Sequence, residues 1–491
     1  MISFWLNSKS ISQNIFIPKY YNPEIISALS TLSSSHVCLS IKSLVDEGTL
    51  SCNTGDEIGK NAYGTGNIPF VRTSDISNWE IKTAPKQGVS LDIYQEYQES
   101  QDVMPGDILF VRDGTYLIGN NCFITEIDKE ILYQSHIIKI RVNDKAKLDP
   151  TILFLSLNSE IAQKQMRSFQ FTADIIDTIG NRFYEIILPI PKSEKKKRNL
   201  ITKAEKALET RAKDKAFVKN AGKIIEQVLV TNSIDPISVF LNKSYEELAA
   251  SLVSETVTAE FGEFEAVWKM RSQIRNDIFI PKYYDPSIEE ELTTLSRNCE
   301  IVSFGDLKLK GILDYYTGDE IGKMAYGTGN IPFLRTSDFS NWEIKHDPKQ
   351  GISEEIYLEY KDKEDVQPHD ILLVRDGTYL VGSSCIITKN DSKALFCGGL
   401  YKIRSLDEEY LNPFLLLALL NSYIVKRQIR TKQFTRDVID TIGNRLDEVF
   451  LPIPKNKKLK GLLSTEIEKI ITARIDARMT ITKLSKEILE Q

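Results

Sequence analysis

Two carboxylates, Asp113 and Asp376, stand in two copies of the hexapeptide RDGTYL, and a repeated carboxylate could act as a general acid or base in each copy. An Asp-Gly pair between strand-like runs is more commonly a turn, and the flanking residues favour that reading. TGDEIGK (Thr54–Lys60) resembles a phosphate loop, but only three residues separate its glycines, and Asn61 stands where a magnesium-binding Ser or Thr is needed. GTG at Gly64–Gly66 and Gly327–Gly329 lacks the third glycine of a dinucleotide fingerprint and leads into Ile-Pro-Phe, so it too reads as a turn. None of the four histidines, His36, His136, His346 and His369, has a histidine at the matching position of the other copy. Two identical histidine-based active sites are therefore excluded, and the same mismatch argues against a metal cluster. Cys122 and Cys385 do match and read as buried thiols. No Gly-x-Ser-x-Gly elbow, His-Glu-x-x-His pair, Asn/Asp-Pro-Pro-Tyr/Phe tetrapeptide or methyltransferase glycine loop occurs. The expectation is a chain with no catalytic residues, no metal and no cofactor of its own.

The elements that would position these residues are duplicated. FIPKYY begins at Phe16 and Phe279, TGDEIGK at Thr54 and Thr317, RTSD at Arg72 and Arg335, IDTIGNR at Ile176 and Ile439, and LPIP at Leu188 and Leu451, always 263 residues apart. From Phe16 to Pro191 the copies align without insertion or deletion, and Trp5 and Trp268 extend the match upstream. A period this long is a duplicated domain, since solenoid units run to about 20–50 residues. The 491 residues, 42% hydrophobic and 26% charged, fit a folded chain of two to four domains of about 100–200 residues each. No apolar run reaches the roughly 18 residues of a membrane span, and MISFWLNSKS lacks the basic leader and apolar stretch of a signal peptide. The six cysteines form no CxxC pair, so a cytoplasmic location is expected.

Each copy reads as α+β. Ile108–Val111 and Ile137–Arg141 are strand-like runs between turn residues, while Asp149–Arg167 and its equivalent Asn412–Arg430 read as helices opened by a cap and a proline. Apolar stripes of helical period run through Leu200–Leu229 (Ile201, Ala204, Ala207, Leu208, Phe217, Ala221, Ile224, Ile225, Val228) and Leu462–Leu489 (Ile467, Ile470, Ile471, Ile475, Met479, Leu484, Ile488). Residues 236–265 form an acidic insert read as helical. The expected organisation is a first domain over 1–197, a central helical spacer over 198–267, a second domain over 268–457 and a terminal spacer helix over 458–491.

GNIPFVRTSDISNWEI (Gly66–Ile81), PGDILFVRDGTYLIGNNCFIT (Pro105–Thr125) and DTIGNRFYEIILPIPKSEKKKRNLI (Asp177–Ile201), each with its counterpart 263 residues on, resemble the specificity subunit of type I restriction-modification systems. That family carries an "ipf-R-x-x-D-i" segment, a "GDIL…G" segment and an "xxPxP" segment leading into a long helix. The openings FIPKYYNP and FIPKYYDP are similar to its "R-x-D-x-x-Y-Y-x-P" start. The resemblance covers nearly the whole chain. It implies two target recognition domains of mixed α/β fold, separated by long helices that form an antiparallel coiled-coil spacer. It further implies a non-catalytic reader of a bipartite site on double-stranded DNA. The partners implied are two methyltransferase (modification) subunits using S-adenosylmethionine, which restriction or translocase subunits can join. The acidic insert and the close likeness of the two copies depart from the family pattern, and the likeness puts a strongly asymmetric target in doubt.

The net charge of −6 does not favour nucleic-acid binding by bulk charge. Residues 16–191 hold 15 Lys/Arg against 22 Asp/Glu, whereas Lys192–Leu229 holds 12 against 5 and Lys455–Gln491 holds 9 against 5. The runs KSEKKKRN and KNKKLK at the domain–helix junctions are candidate phosphate contacts, as are Lys60 and Lys323. A helix over Leu200–Leu229 would be about 45 Å long, enough to span readers about 34–36 Å apart in successive major grooves. Base reading needs donors and stacking groups. The matched candidates are Arg72, Thr73, Ser74, Arg112, Tyr116, Gln170 and Thr172, with Arg335, Thr336, Ser337, Arg375, Tyr379, Gln433 and Thr435. The arginines could instead pair within their domains, Asp75 and Asp113 being close at hand. Gln134, Ser135 and His136 stand against Cys397, Gly398 and Gly399, the interior segment that changes chemistry most, and are the candidates for half-site discrimination. Two other readings stay open: a scaffold that joins protein partners through its helices without DNA contact, and an enzyme with two identical carboxylate sites.

Overall fold

In the first repeat the run Ile137–Val142 lies at the centre of a four-stranded antiparallel sheet ordered Leu50–Thr54, Ile137–Val142, Ile108–Val111, Asn121–Phe123. The computed structural model describes residues 4–5, 11, 15–114, 116–128, 130–173, 176–251, 268–275, 278–377, 379–436 and 439–490. Successive strand side chains point to opposite faces. Ile108, Phe110, Ile138 and Ile140 accordingly enter one core, while Leu109, Val111 and Ile137 enter another. Burial on both faces explains why Ile108–Val111 reads as an unbroken apolar run. A second sheet orders Gln87–Val89, Ile68–Val71 and Leu132–Tyr133, the last pair parallel. The other repeat builds the same sheets, from Leu313–Thr317, Leu400–Ser405, Ile371–Val374 and Ser384–Ile386, and from Gln350–Ile352, Ile331–Leu334 and Leu395–Phe396.

TGDEIGK is a turn of close approach. A Cβ on Gly55 would lie 2.1 Å from the Tyr133 carbonyl oxygen, and Gly59 takes φ +66°. The helix expected over Asp149–Arg167 is two helices, Pro150–Leu157 and Glu160–Phe169, matched by Pro413–Asn421 and Tyr423–Thr431. Ser159 and Ser422 take extended conformations that stop the first helix, and the Ser159 hydroxyl caps the second. Both halves present apolar faces, so composition alone could not reveal the break. Of the acidic insert, Asp235–Leu241 and Tyr245–Ser251 are helical, and 252–267 lie outside the described residues.

The chain divides into two compact units. The first runs to Lys213, takes the described residues from Leu248, and resumes at Arg474; the second comprises Asp214–Glu247 and the described residues up to Ala473. The long helices span Glu194–Thr231 and Lys457–Glu487. Within the first unit they run antiparallel: Leu200, Ala204, Ala207 and Leu208 share a core with Ala477, Ile481, Leu484 and Ile488, and Lys196 Nζ donates to the Glu490 carbonyl. Among the described residues no helix is long and apolar enough to cross a membrane.

Each domain carries a buried cationic clasp that its sequence did not advertise. Helices Leu91–Gln101 and Glu354–Glu364 end on Asp102 (φ +39°) and Asp365 (φ +37°). Lys139 donates to the carbonyls of Gln101 and Asp102, and Lys402 donates to Glu364 O at 2.8 Å and Asp365 O at 2.5 Å, cations placed at helix C-termini. The copies differ at the last helical residue. Gln101 bonds the Tyr133 backbone on both sides, whereas Glu364 accepts from Phe396 N and Asp319 N, and burial pushes its carboxyl up to about 7. A carboxyl whose folded pKa exceeds its unfolded value near 4.3 favours folding most below that value, and the benefit is lost as pH rises towards 7. The second unit is therefore expected to lose about 3 kcal/mol between pH 4.5 and pH 8 from this group. Glu364→Gln should raise the unfolding temperature of the full chain at pH 8 and leave it nearly unchanged at pH 5; equal effects at both values would refute the assignment.

Candidate nucleic-acid interface

Four segments converge beside the end of strand Ile108–Val111. The Asp75 carboxylate folds the RTSD turn by accepting Arg72 N at 3.0 Å and Lys86 N at 3.4 Å, and burial raises its pKa despite these bonds. The RDG turn lies alongside, the Cβ position of Gly114 falling 3.9 Å from Thr73 Oγ1. The 134–136 turn joins through His136 O, which accepts Arg112 N at 3.0 Å. The hairpin Phe171–Ala173/Ile176–Thr178 closes the cluster, with Gly114 N donating to Asp177 O at 3.0 Å and Ile179 N to Arg112 O at 3.2 Å. The second repeat makes the same backbone bonds: Arg375 N to Gly399 O at 2.9 Å, Gly377 N to Asp440 O at 2.9 Å and Ile442 N to Arg375 O at 3.1 Å.

Asp113 is the hub of the first cluster. It accepts Arg112 Nε at 3.0 Å and Nη2 at 2.9 Å, His136 Nδ1 at 2.8 Å and the Thr178 hydroxyl. Burial alone would raise its carboxyl, but the bonds from Arg112, Thr178 and His136 outweigh it and hold the pKa below the usual value. Arg112 is thus ion-paired within its own domain. Gln170 and Thr172 both donate to Asp177, as Gln433 and Thr435 do to Asp440, so these polar groups pin the hairpin beside the RDG turn. Thr115 and Thr378 lie outside the described residues. The Tyr116 carbonyl accepts the Arg167 guanidinium and Tyr379 is exposed. Arg335 lies over the Tyr326 ring at 5.9 Å. Ser74 and Ser337 are half-buried in the RTSD turns, Gln134 is buried, and Ser135 donates to Glu57.

Lys60 and Lys323 stand exposed after the positive-φ glycines 59 and 322, with no ion-pair partner among the described residues. The junction runs are partly engaged. Lys192 Nζ caps the helix Pro23–Leu32 through Ser33 O at 2.8 Å, and Lys455 Nζ does the same through Ser296 O at 2.7 Å. Lys457 pairs with Glu409, which leaves Lys195, Arg198 and Lys458 exposed and uncommitted.

Sequence reasoning missed the joint between recognition fold and helix. The SNWE turn, with positive φ at Asn78 and Trp79, carries Trp79 into the core that holds both long helices and carries Glu80 onto Arg211 and Arg474. Those arginines are equivalent positions 263 residues apart, and each donates to the other's carbonyl, at 3.2 and 3.4 Å. Arg474 is 0% exposed. The overlooked signal was a matched charge in each apolar stripe, three residues after Leu208 and Ile471.

Residues 48–214 match the family model for the "Type I restriction modification DNA specificity domain". Similar solved structures include the S subunit of a type I restriction-modification system from M. genitalium, at 11% identity, covering 92% of this chain and 96% of that one with a TM-score of 0.36. Another is the HsdS subunit from Thermoanaerobacter tengcongensis, at 15% identity, covering 94% of each chain with a TM-score of 0.26. None of the curated proteins matches this chain significantly.

Proposed function

We propose, on the premise that this chain belongs to the family of type I restriction-modification DNA specificity subunits, that each repeat reads one half of a bipartite target and that the paired helices set the gap between the halves. The observation that supports this reading is the four-segment cluster, built with the same backbone bonds in both repeats and reachable from solvent. Exposed Lys60, Lys323, Lys195, Arg198 and Lys458 supply phosphate contacts that position the complex without reading sequence. A locally basic set of this kind reconciles DNA binding with a net charge of −6. Two methyltransferase subunits dock on the chain and carry the adenine methylation, restriction subunits join them, and the complex works in the cytoplasm where the cell's DNA lies. The purified chain by itself is expected to show no methylation or cleavage of DNA; turnover that persists through rigorous purification would defeat that expectation.

The test of the reading is co-expression with the methyltransferase subunit, followed by mapping of methylated adenines across a genome. A bipartite motif with two related halves is expected, and methylation without such a motif would reject it. Transplanting Gln134–Ile137 into positions 397–400 should convert one half towards the other, because the two turns hang on the same frame. Methylation of the parental motif by the swapped chain would assign those residues to drift.

A further inference from the structure

We infer that the second repeat carries a phosphate-binding cavity held by Lys269, Arg275 and Lys432, three cations that the first repeat does not have.

A cavity of about 350 Å³ opens between the segment 268–275, the helices Pro286–Leu295 and Tyr423–Thr431, and the helical turn Gly443–Glu448. All of its lining belongs to the second unit. Lys269, Arg275 and Lys432 line it, and at the matching positions 263 residues earlier stand Leu6, Ser12 and Phe169. The frame around them is shared. Tyr283 donates to Glu448 as Tyr20 donates to Glu185. In the first repeat the Phe169 ring packs on Tyr20 with centroids 5.1 Å apart; in the second, Lys432 Nζ lies over the Tyr283 ring, 4.4 Å from its centroid. An ammonium thus stands where an apolar ring completes the other copy.

The carboxylates of the cavity are committed to other groups. Asp285 accepts from Ser287 and Arg427, and Glu289 faces Lys269 at 3.5 Å. Glu448 takes the Tyr283 hydroxyl and stays 3.7 Å from Lys432 Nζ, beyond hydrogen-bonding distance. Arg275 is exposed, and its guanidinium has no carboxylate partner among the described residues. Burial lowers the pKa of Lys432 against the pull of Glu448, and the Arg275 charge adds to the fall. Solvent still reaches this ammonium: the side chain is 12% exposed, and Nζ is not among the buried polar atoms left without a bond. Two cations that share a cavity and repel each other are both relieved by an anion. Phosphate suits them better than a carboxylate, because it carries more charge and its oxygens accept a guanidinium fork and an ammonium together. The group can come from the DNA backbone or from a free phosphate ester, and the two sources are separable.

The experiment titrates inorganic phosphate into the full chain and into Lys432→Phe and Arg275→Ser, which install the residues of the first repeat. Phosphate should raise the unfolding temperature of the parent, and each variant should bind it about ten-fold more weakly. Acetate at equal ionic strength should have no such effect. If Lys432→Phe disturbs the fold, seen as a lower unfolding temperature without phosphate, the exposed Arg275→Ser decides. Duplex-DNA binding by the complex with the methyltransferase subunit, measured across salt concentrations, identifies the source. A dependence of log affinity on log salt that is shallower by about one in each variant assigns a backbone phosphate. An unchanged dependence with weakened phosphate binding assigns a free ester. Variants that match the parent in both phosphate response and salt dependence, or acetate that acts as phosphate does, overturn the inference.

Discussion

Replacing Glu80 with glutamine should lower the unfolding free energy of the first unit by about 3–5 kcal/mol, the range seen when one partner of a buried ion pair is removed. Glu80 is shared by the guanidiniums of Arg211 and Arg474, and all three side chains are buried. The neutral amide leaves two desolvated cations short of a carboxylate, and the cost exceeds what the amide's own dipole returns. Exposed pairs such as Lys42–Asp46 give no comparable effect, because water already solvates both partners. Urea unfolding of the full chain, at low and at high salt, measures the difference. A loss under about 1 kcal/mol, or one that salt abolishes, would show that the cluster is open to solvent and contributes little.

Removing Arg474–Gln491 is expected to unfold the first unit. The segment contributes Ala477, Ile481, Leu484 and Ile488 to that unit's core, and the Ile488 carbonyl bonds buried His36 Nε2 at 2.7 Å. At about 1.5–3 kcal/mol for each large side chain, the lost burial is about 6 kcal/mol, comparable with the whole stability of a typical domain. Calorimetry should show loss of the first unit's transition while the second unit's remains, and co-purification with the methyltransferase subunit should fail. A truncated chain that keeps both transitions and still assembles would refute the spacer arrangement.

Much of this was readable in advance because it depends on local periods. The duplication shows in motifs repeated 263 residues apart, and the α+β order, the strands at Ile108 and Ile137, and the two long helices follow from alternation, helical stripes and turn residues, which act over a few neighbours. Partnerships were not readable in advance, since they join residues far apart in the chain: Glu80 and Arg474 are 394 positions apart, and His136 reaches Asp113 across a sheet. RDGTYL is identical in both repeats, yet Arg112 is closed on its aspartate and Arg375 is not, because the deciding group lies 23 residues away in a turn that carries imidazole in one repeat and glycine in the other. The break at Ser159 also escaped, since the helices on either side are both good helices, and what separates them is an extended serine whose hydroxyl caps the second helix rather than a residue that forbids the fold. The sequence by itself determined which elements form and in what order. Only the tertiary structure decided which charges meet, because a side chain's partner is set by the neighbours folding brings to it, and burial then turns a modest surface attraction into an interaction of several kcal/mol.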